Sequence, residues 1–166
     1  MPLRSDWSGE LCPIRRSLDV LGDPWVLLIV RDALHGRGRY EQLRDSLGVS
    51  DAVLSRRLRA MVEAGLLERV PYRDGNRERH GYAATAAAAD LLPVLQSLAV
   101  WAERHTPTPP GGAHMALVHL TCGQESRDGA TCSACGEALR PDDVAWDKPW
   151  RGGRDRLHPT GALAGT

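Results

Sequence analysis

The chain has 166 residues, 42% of them hydrophobic and 25% charged, with a formal net charge of zero. These values describe a globular chain of one domain, or one small domain plus a mini-module, and exclude wholesale disorder and a polycation. Any nucleic-acid binding must therefore come from a local patch. The longest apolar run is Trp25 to Val30, far short of the ~18 residues of a membrane span. The first ten residues carry Arg4, Asp6 and Glu10 and no apolar stretch of secretory type, so a cytoplasmic location is expected. Four cysteines in such a chain point to metal or redox chemistry rather than disulfides. Lys148 is the only lysine beside 20 arginines among the 21 basic residues.

An N-terminal arm over 1–11 precedes the first predicted helix. Cys12-Pro13 opens that helix, with the stripe Ile14, Leu18 and Leu21, and Gly22 ends it. Asp23-Pro24 starts a second, apolar on most sides and hence central. His35 to Gly38 is a loop, and Tyr40 to Leu47 a short helix with Leu43 and Leu47 inward. Ser50 caps a helix running to about Ala64, and Gly65 closes it. Leu66 to Tyr72 and Arg79 to Ala84 flank an Asp74-Gly75-Asn76 turn and read as a hairpin, with Tyr82 inward. Thr85 caps a long helix expected from about Ala86 to His105, striped by Leu91, Leu95, Leu98 and Trp101. The fold expected over 12–105 is mainly α with a small β-hairpin wing, a winged helix-turn-helix.

Residues 106–113, TPTPPGGA, read as a Pro/Gly linker. Beyond it, 114–150 carries three of the four cysteines, and 151–166 is Gly-rich, poor in apolar residues and expected to be disordered.

On a helical wheel the Ser50 helix places Leu54, Leu58 and Met61 on one face and Ala52, Ser55, Arg56 and Arg59 opposite. Small residues allow close approach to base edges in a major groove, and arginines bridge guanine or hold phosphate. Arg57 lies to the side, suited to phosphate or a neighbouring acid. Arg77 and Arg79 in the hairpin could reach a minor groove or phosphates. Residues 50–80 carry seven arginines against five acids, a modestly positive field. The candidate DNA-binding set is thus Ser50, Ala52, Ser55, Arg56, Arg57, Arg59, Arg77 and Arg79. A winged helix can also serve as a protein-interaction adaptor without specific DNA binding, and salt dependence separates the two, because displacement of counterions makes DNA binding fall steeply with salt.

The runs Cys12-Pro13-Ile14, Leu18 to Gly22, Trp25 and Leu27-Leu28-Ile29, with Tyr40 to Arg44, Leu54 to Arg59, Glu63 to Leu67, Pro93-Val94-Leu95 and Trp101, resemble the HxlR-type transcriptional regulators across residues 12–105. Departures are Asp23-Pro24 in place of a common Gly-Lys, the wing tip, and the Ala-rich stretch after Tyr82. The resemblance implies a MarR-like fold and a homodimer formed by the first and last helices of that region. It also implies a near-palindromic double-stranded DNA operator with half-sites about 34–36 Å apart. Some members of the family sense oxidants or electrophiles through the cysteine that Cys12 matches. A helix N-terminus favours thiolate there, while a small buried hydrophobe is the plainer reading of Cys12. A small-molecule effector could enter near Trp25, Trp101 and Tyr82, which otherwise serve as core.

His119-x2-Cys122-Gly123 and Cys132-x2-Cys135-Gly136 read as two knuckles of a zinc-ribbon-like module, with His119, Cys122, Cys132 and Cys135 as four ligands of one structural Zn2+. His114 is the substitute should His119 face away. Trp146 and Trp150 could pack on this module or on the winged domain. No phosphate loop, paired carboxylates or nucleophile elbow is present, so no enzyme is expected.

Overall fold

Proline sits in the first turn of three helices, where its missing N–H costs nothing. They are α1 (Pro13–Leu21), α2 (Pro24–Leu34) and α6 (Leu92–His105). The computed structural model describes residues 6–165, so residues 1–5 of the expected arm and Thr166 lie outside the described residues. Between α2 and α6 lie α3 (Tyr40–Leu47), α4 (Asp51–Glu63), β1 (Leu67–Asp74), β2 (Arg77–Ala84) and α5 (Ala86–Ala89). The order is that of a winged helix-turn-helix. In α2, Ile29, Val30 and Leu34 are fully buried, which makes it the central helix.

The helix expected from Ala86 to His105 is two helices. Pro93 cannot donate a backbone hydrogen bond to the previous turn, and its ring crowds that turn's carbonyl. The chain therefore leaves α5 at Asp90 and re-enters α6 at Leu92. The wing strands are two residues longer toward the tip than expected, pairing from Leu67↔Ala84 to Asp74↔Arg77.

The segment after α6 forms a four-stranded antiparallel sheet in the order β4-β3-β5-β6. Its strands are β3 (Ala116–His119), β4 (Glu125–Ser126), β5 (Val144–Lys148) and β6 (Gly153–Arg156). This sheet has no separate core. Leu117, Val144, Trp146 and Leu157 belong to the same buried cluster as Ile29, Leu54 and Leu92. The stretch 106–113 thus divides the sequence but not the hydrophobic interior.

Disorder over 151–166 is corrected for the described residues. β6 pairs with β5 from Lys148↔Gly153 to Ala145↔Arg156. Beyond it the chain straps the winged half by main-chain bonds: His158 N–H to Leu34 O (2.7 Å), Gly161 N–H to Ala84 O (2.9 Å) and Ala164 N–H to Gly36 O (2.9 Å). Leu163 is buried against Tyr72, Ala83 and Val70 of the wing. Composition misses this order because two leucines and a borrowed hydrogen-bond ladder supply it.

Candidate nucleic-acid interface and metal centre

Ser50 caps α4 through its hydroxyl, which accepts from Val53 N–H at 3.4 Å. The helix buries Leu54, Leu58 and Met61. Burying that stripe leaves Ser50, Ala52, Ser55, Arg56 and Arg59 exposed together. Arg56 and Arg59 have no hydrogen bond or ion pair among the described residues, so their forks are free. Tyr40 on α3 holds the start of α4, with its hydroxyl 3.0 Å from Ser55 Oγ and 3.1 Å from the Asp51 carbonyl.

Two of the other candidate arginines are engaged. Arg57 is ion-paired with Asp23, its Nε 3.1 Å from Oδ1. Asp23 also caps α2 by accepting from Trp25 N–H at 3.0 Å. Arg79 lies 3.1 Å from both Glu41 and Asp74, tying the wing to the first turn of α3. Arg77 is exposed at the wing tip.

An apolar face stands open on α1 and α6. Ile14 is 69% exposed, Leu18 45%, Leu98 47% and Trp101 58%. Cys12, the N-cap of α1, is exposed. Arg15 and Arg16, its neighbours in sequence, turn instead to Glu10 and to the carbonyls of Glu10 and Leu11. Trp25 and Tyr82 pack on the core while Trp101 points outward, so this aromatic trio does not close on a common cavity. A cavity of about 760 Å³ lies instead between the end of α6 and residues 106–115, lined by Ala99, Ala102, Pro109, Met115 and Trp150.

On the C-terminal sheet the four candidate ligand atoms of His119, Cys122, Cys132 and Cys135 all lie within 4.8 Å of one another. His119 Nδ1 is 3.3 Å from both Cys122 Sγ and Cys135 Sγ, and Cys122 and Cys132 sulfurs are 3.7 Å apart. A tetrahedral zinc ion with ligands at about 2.0–2.3 Å spaces its donors by about 3.3–3.8 Å, so the set fits that ion. Both knuckle glycines adopt left-handed backbone, φ 70° at Gly123 and 79° at Gly136. Each donates its N–H back to the first ligand's carbonyl, His119 O at 2.8 Å and Cys132 O at 2.9 Å. The N–H groups of Cys135 and Ala134 point at Cys132 Sγ and pull that thiol down to about 6.

His119 Nε2 lies 2.6 Å from Asp143 Oδ2, and Thr121 donates to the same carboxylate at 2.8 Å. With its proton on Nε2, His119 turns Nδ1 to the sulfurs, the orientation a carboxylate imposes on a metal-binding histidine. Sequence spacing did not reveal Asp143, which arrives from a distant turn. His114 stands apart, bridging Glu103 (2.7 Å) and Glu125 (2.5 Å), which hold its pKa above the ordinary imidazole value.

A second polar cluster joins the halves. Buried Lys148 donates to His35 Nε2 at 2.6 Å, and Asp155 lies 3.4 Å from Lys148 and 2.7 Å from Arg37. Burial and the Lys148 ammonium push His35 down to about 4, and burial brings Lys148 to about 8. Nothing in the sequence pattern marked this cluster, since its two halves, His35 and Arg37 on one side and Lys148 and Asp155 on the other, lie more than a hundred residues apart in the chain.

The helix order, the wing and the exposed face of α4 define a winged helix-turn-helix of the transcription-regulator class. The chain belongs to the HxlR-like helix-turn-helix family, whose model matches residues 20–109. The uncharacterized HTH-type transcriptional regulator Rv3095 of Mycobacterium tuberculosis is 39% identical over 131 residues, 79% of this chain and 82% of the relative. A match of 131 residues, wherever it begins, runs past residue 109 into the cysteine-bearing sheet. The regulator sll1512 of Synechocystis is 35% identical over 53% of this chain and 65% of its own length. The crystal structure of PA1607, a candidate transcription factor, superimposes with a TM-score of 0.65 at 33% identity, over 84% of this chain and 96% of that one. No helix among the described residues is long and apolar enough to cross a membrane.

Proposed function

We propose that this regulator acts as a homodimer that binds a near-palindromic DNA operator, with α4 in the major groove. The observation that carries the reading is the free, exposed pair Arg56 and Arg59 beside Ser50, Ala52 and Ser55, on a helix whose opposite face is core. Arg77 follows the wing tip toward the backbone. Arg57 positions α4 on α2, and Arg79 sets the wing on α3; both lie beside the reading face. The exposed apolar side chains Ile14 and Leu18 on α1 and Leu98 and Trp101 on α6 support dimerisation, since exposed apolar patches mark interfaces. In the dimer the partner's copy of the same face would cover them.

His119, Cys122, Cys132 and Cys135 would hold one zinc ion. Four protein ligands leave no open position, so the metal would be structural, fixing the loops that join β3, β4 and β5. Asp143 orients His119. The cavity of about 760 Å³ beside α6 has the size and apolar lining of a small-molecule site, next to the helix assigned to the dimer. That makes it the place for an effector. Exposed Cys12 leaves a redox signal chemically open at the same interface.

The test is fluorescence anisotropy on the protein's own upstream promoter DNA against scrambled DNA, over a salt series. Promoter-preferring binding that weakens steeply with salt is expected. Replacing Arg56 and Arg59 by alanine should abolish the preference while leaving the melting temperature unchanged. Retained operator affinity in that variant would overturn the assignment, and salt-independent capture of a protein partner would favour the adaptor reading.

A further inference from the structure

Arg37, Arg151 and Arg154 surround a cleft of about 190 Å³, floored by Gly152 and Gly153 and closed by Asp155. The arginines come from opposite halves of the molecule. Arg37 lies in the turn between α2 and α3, whereas Arg151 and Arg154 lie on the hairpin that joins β5 to β6. The cleft exists only because the C-terminal sheet packs against the winged half.

Cations outnumber carboxylates there. Asp155 is shared by Arg37 at 2.7 Å and by Lys148, beneath it, at 3.4 Å. Arg154 reaches Asp147 only at 3.7 Å. Arg151 has no hydrogen bond or ion pair among the described residues. Three arginines thus line the cleft against the single carboxylate of Asp155, in a chain whose formal net charge is zero.

Guanidinium forks match the tetrahedral oxygens of phosphate, singly or in pairs. The cleft is smaller than the roughly 300–1,000 Å³ of pockets that enclose a whole small molecule. It therefore suits one anionic group rather than a complete ligand. Its surroundings suggest where such a group comes from. Gly38 O, next to Arg37, accepts Tyr82 N–H of the wing at 2.9 Å, and the wing's Arg79 is paired with Glu41 on α3. Cleft, wing base and the start of α3 are contiguous.

We propose that this cleft is a phosphate-binding site, supplied either by the DNA backbone flanking a half-site or by free phosphate. The DNA source rests on the operator-binding reading above; the site itself does not. Arg151 and Arg154 are exposed, so an Arg151→Ala/Arg154→Ala variant should fold as the parent does, which circular dichroism verifies.

Two arms decide the matter. In the first, parent and variant bind an operator trimmed to its half-sites and the same operator with flanking sequence, over a salt series. If flanking DNA supplies the phosphate, the variant loses about tenfold in affinity and about two units of salt slope on the flanked operator, at ~0.9 per contact. It then matches the parent on the trimmed one. In the second arm, arginine side-chain NMR signals are followed while inorganic phosphate replaces chloride at constant ionic strength. If free phosphate is the ligand, the Arg37 Nε–H signal shifts in the parent and not in the variant, with DNA affinity equal in both. Parent and variant indistinguishable in both arms would overturn the site. A parent that binds no DNA but shows the phosphate shift would sink the operator reading and leave the site standing.

Discussion

Trp146 on β5 donates its indole N–H to the Gln96 side chain of α6 across 3.0 Å, with both residues buried. A strand of the C-terminal sheet is thereby fastened to the helix assigned to the dimer interface. The indole body lies in the common core and its one polar atom is satisfied.

Trp146→Ala should cost about 3–5 kcal/mol, as large aromatic deletions in cores do. Gln96→Leu should cost about 1–3 kcal/mol, because it strands a buried donor. Urea unfolding followed by far-ultraviolet circular dichroism and by tryptophan emission gives both numbers. The two probes should coincide in the parent protein, since both halves unfold from one core. Two separate transitions would show that the sheet is an independent unit.

Metal analysis of the purified protein should find one zinc per chain. Asp143→Asn should weaken zinc binding about 10–100-fold, the usual cost of losing a carboxylate behind a histidine ligand. A competing chelator read by a colorimetric zinc indicator measures this. Cys132→Ser should abolish stoichiometric zinc and lower the melting temperature. An unchanged zinc content in Cys132→Ser would show that the four donors hold no ion.

Arg57 and Asp23 should couple in a double-mutant cycle by about 1 kcal/mol, since their ion pair is partly buried and also braces the cap of α2. Arg57→Ala should therefore lower thermal stability and reduce operator affinity less than Arg56→Ala does. A larger loss of affinity in Arg57→Ala at unchanged stability would return Arg57 to the DNA-contacting set.

Acid should destabilise the protein through His35. The folded state keeps this imidazole neutral down to about pH 4, because it is buried against Lys148, with Arg37 near and Asp155 opposing. The unfolded chain takes up its proton near pH 6.5. Between these values the unfolded state binds more protons, so stability falls as pH falls, by about 3 kcal/mol at the limit. His114 acts in the opposite sense: its raised pKa adds stability at low pH that is lost as pH rises through the folded-state value. Denaturant titrations from pH 7 to 4 should show a shallower decline in His35→Gln than in the parent protein.

Trp101→Asp together with Leu98→Asp should yield a monomer in sedimentation velocity, because both side chains stand exposed on the open face of α6. Persistence of the dimer would place the interface elsewhere.

Much of the winged half was legible in the sequence because its signals are local. Ser50 as a cap, Leu54, Leu58 and Met61 as a stripe, and Asp74-Gly75-Asn76 as a turn each depend on near neighbours. The knuckles of the four-donor cluster were legible for the same reason: each pair of ligands is three residues apart and closed by a glycine. Pro93 was the local signal passed over, and it accounts for the break between α5 and α6. Other features depended on distance. Lys148 meets His35, Asp155 meets Arg37 and Leu163 meets the wing only when the C-terminal segment docks on the winged half, and Asp143 reaches His119 across 24 residues of chain, so no short window of sequence contains both sides of these contacts. Arg57 takes the neighbouring acid, Asp23, that its sideways position allowed, and Arg79 pairs with Asp74 and with Glu41, which lies too far along the chain for a count of arginines over 50–80 to show.

Leu163 also sets an order of events. A ribosome delivers the wing hairpin long before it delivers the residue that seats beneath Tyr72 and Ala83. Nascent copies paused before that point carry α4 complete but a wing without its lower support. Competence to engage a promoter would thus be granted late in translation, and a label fused just beyond Leu163 would sit beside the wing it was meant to leave undisturbed.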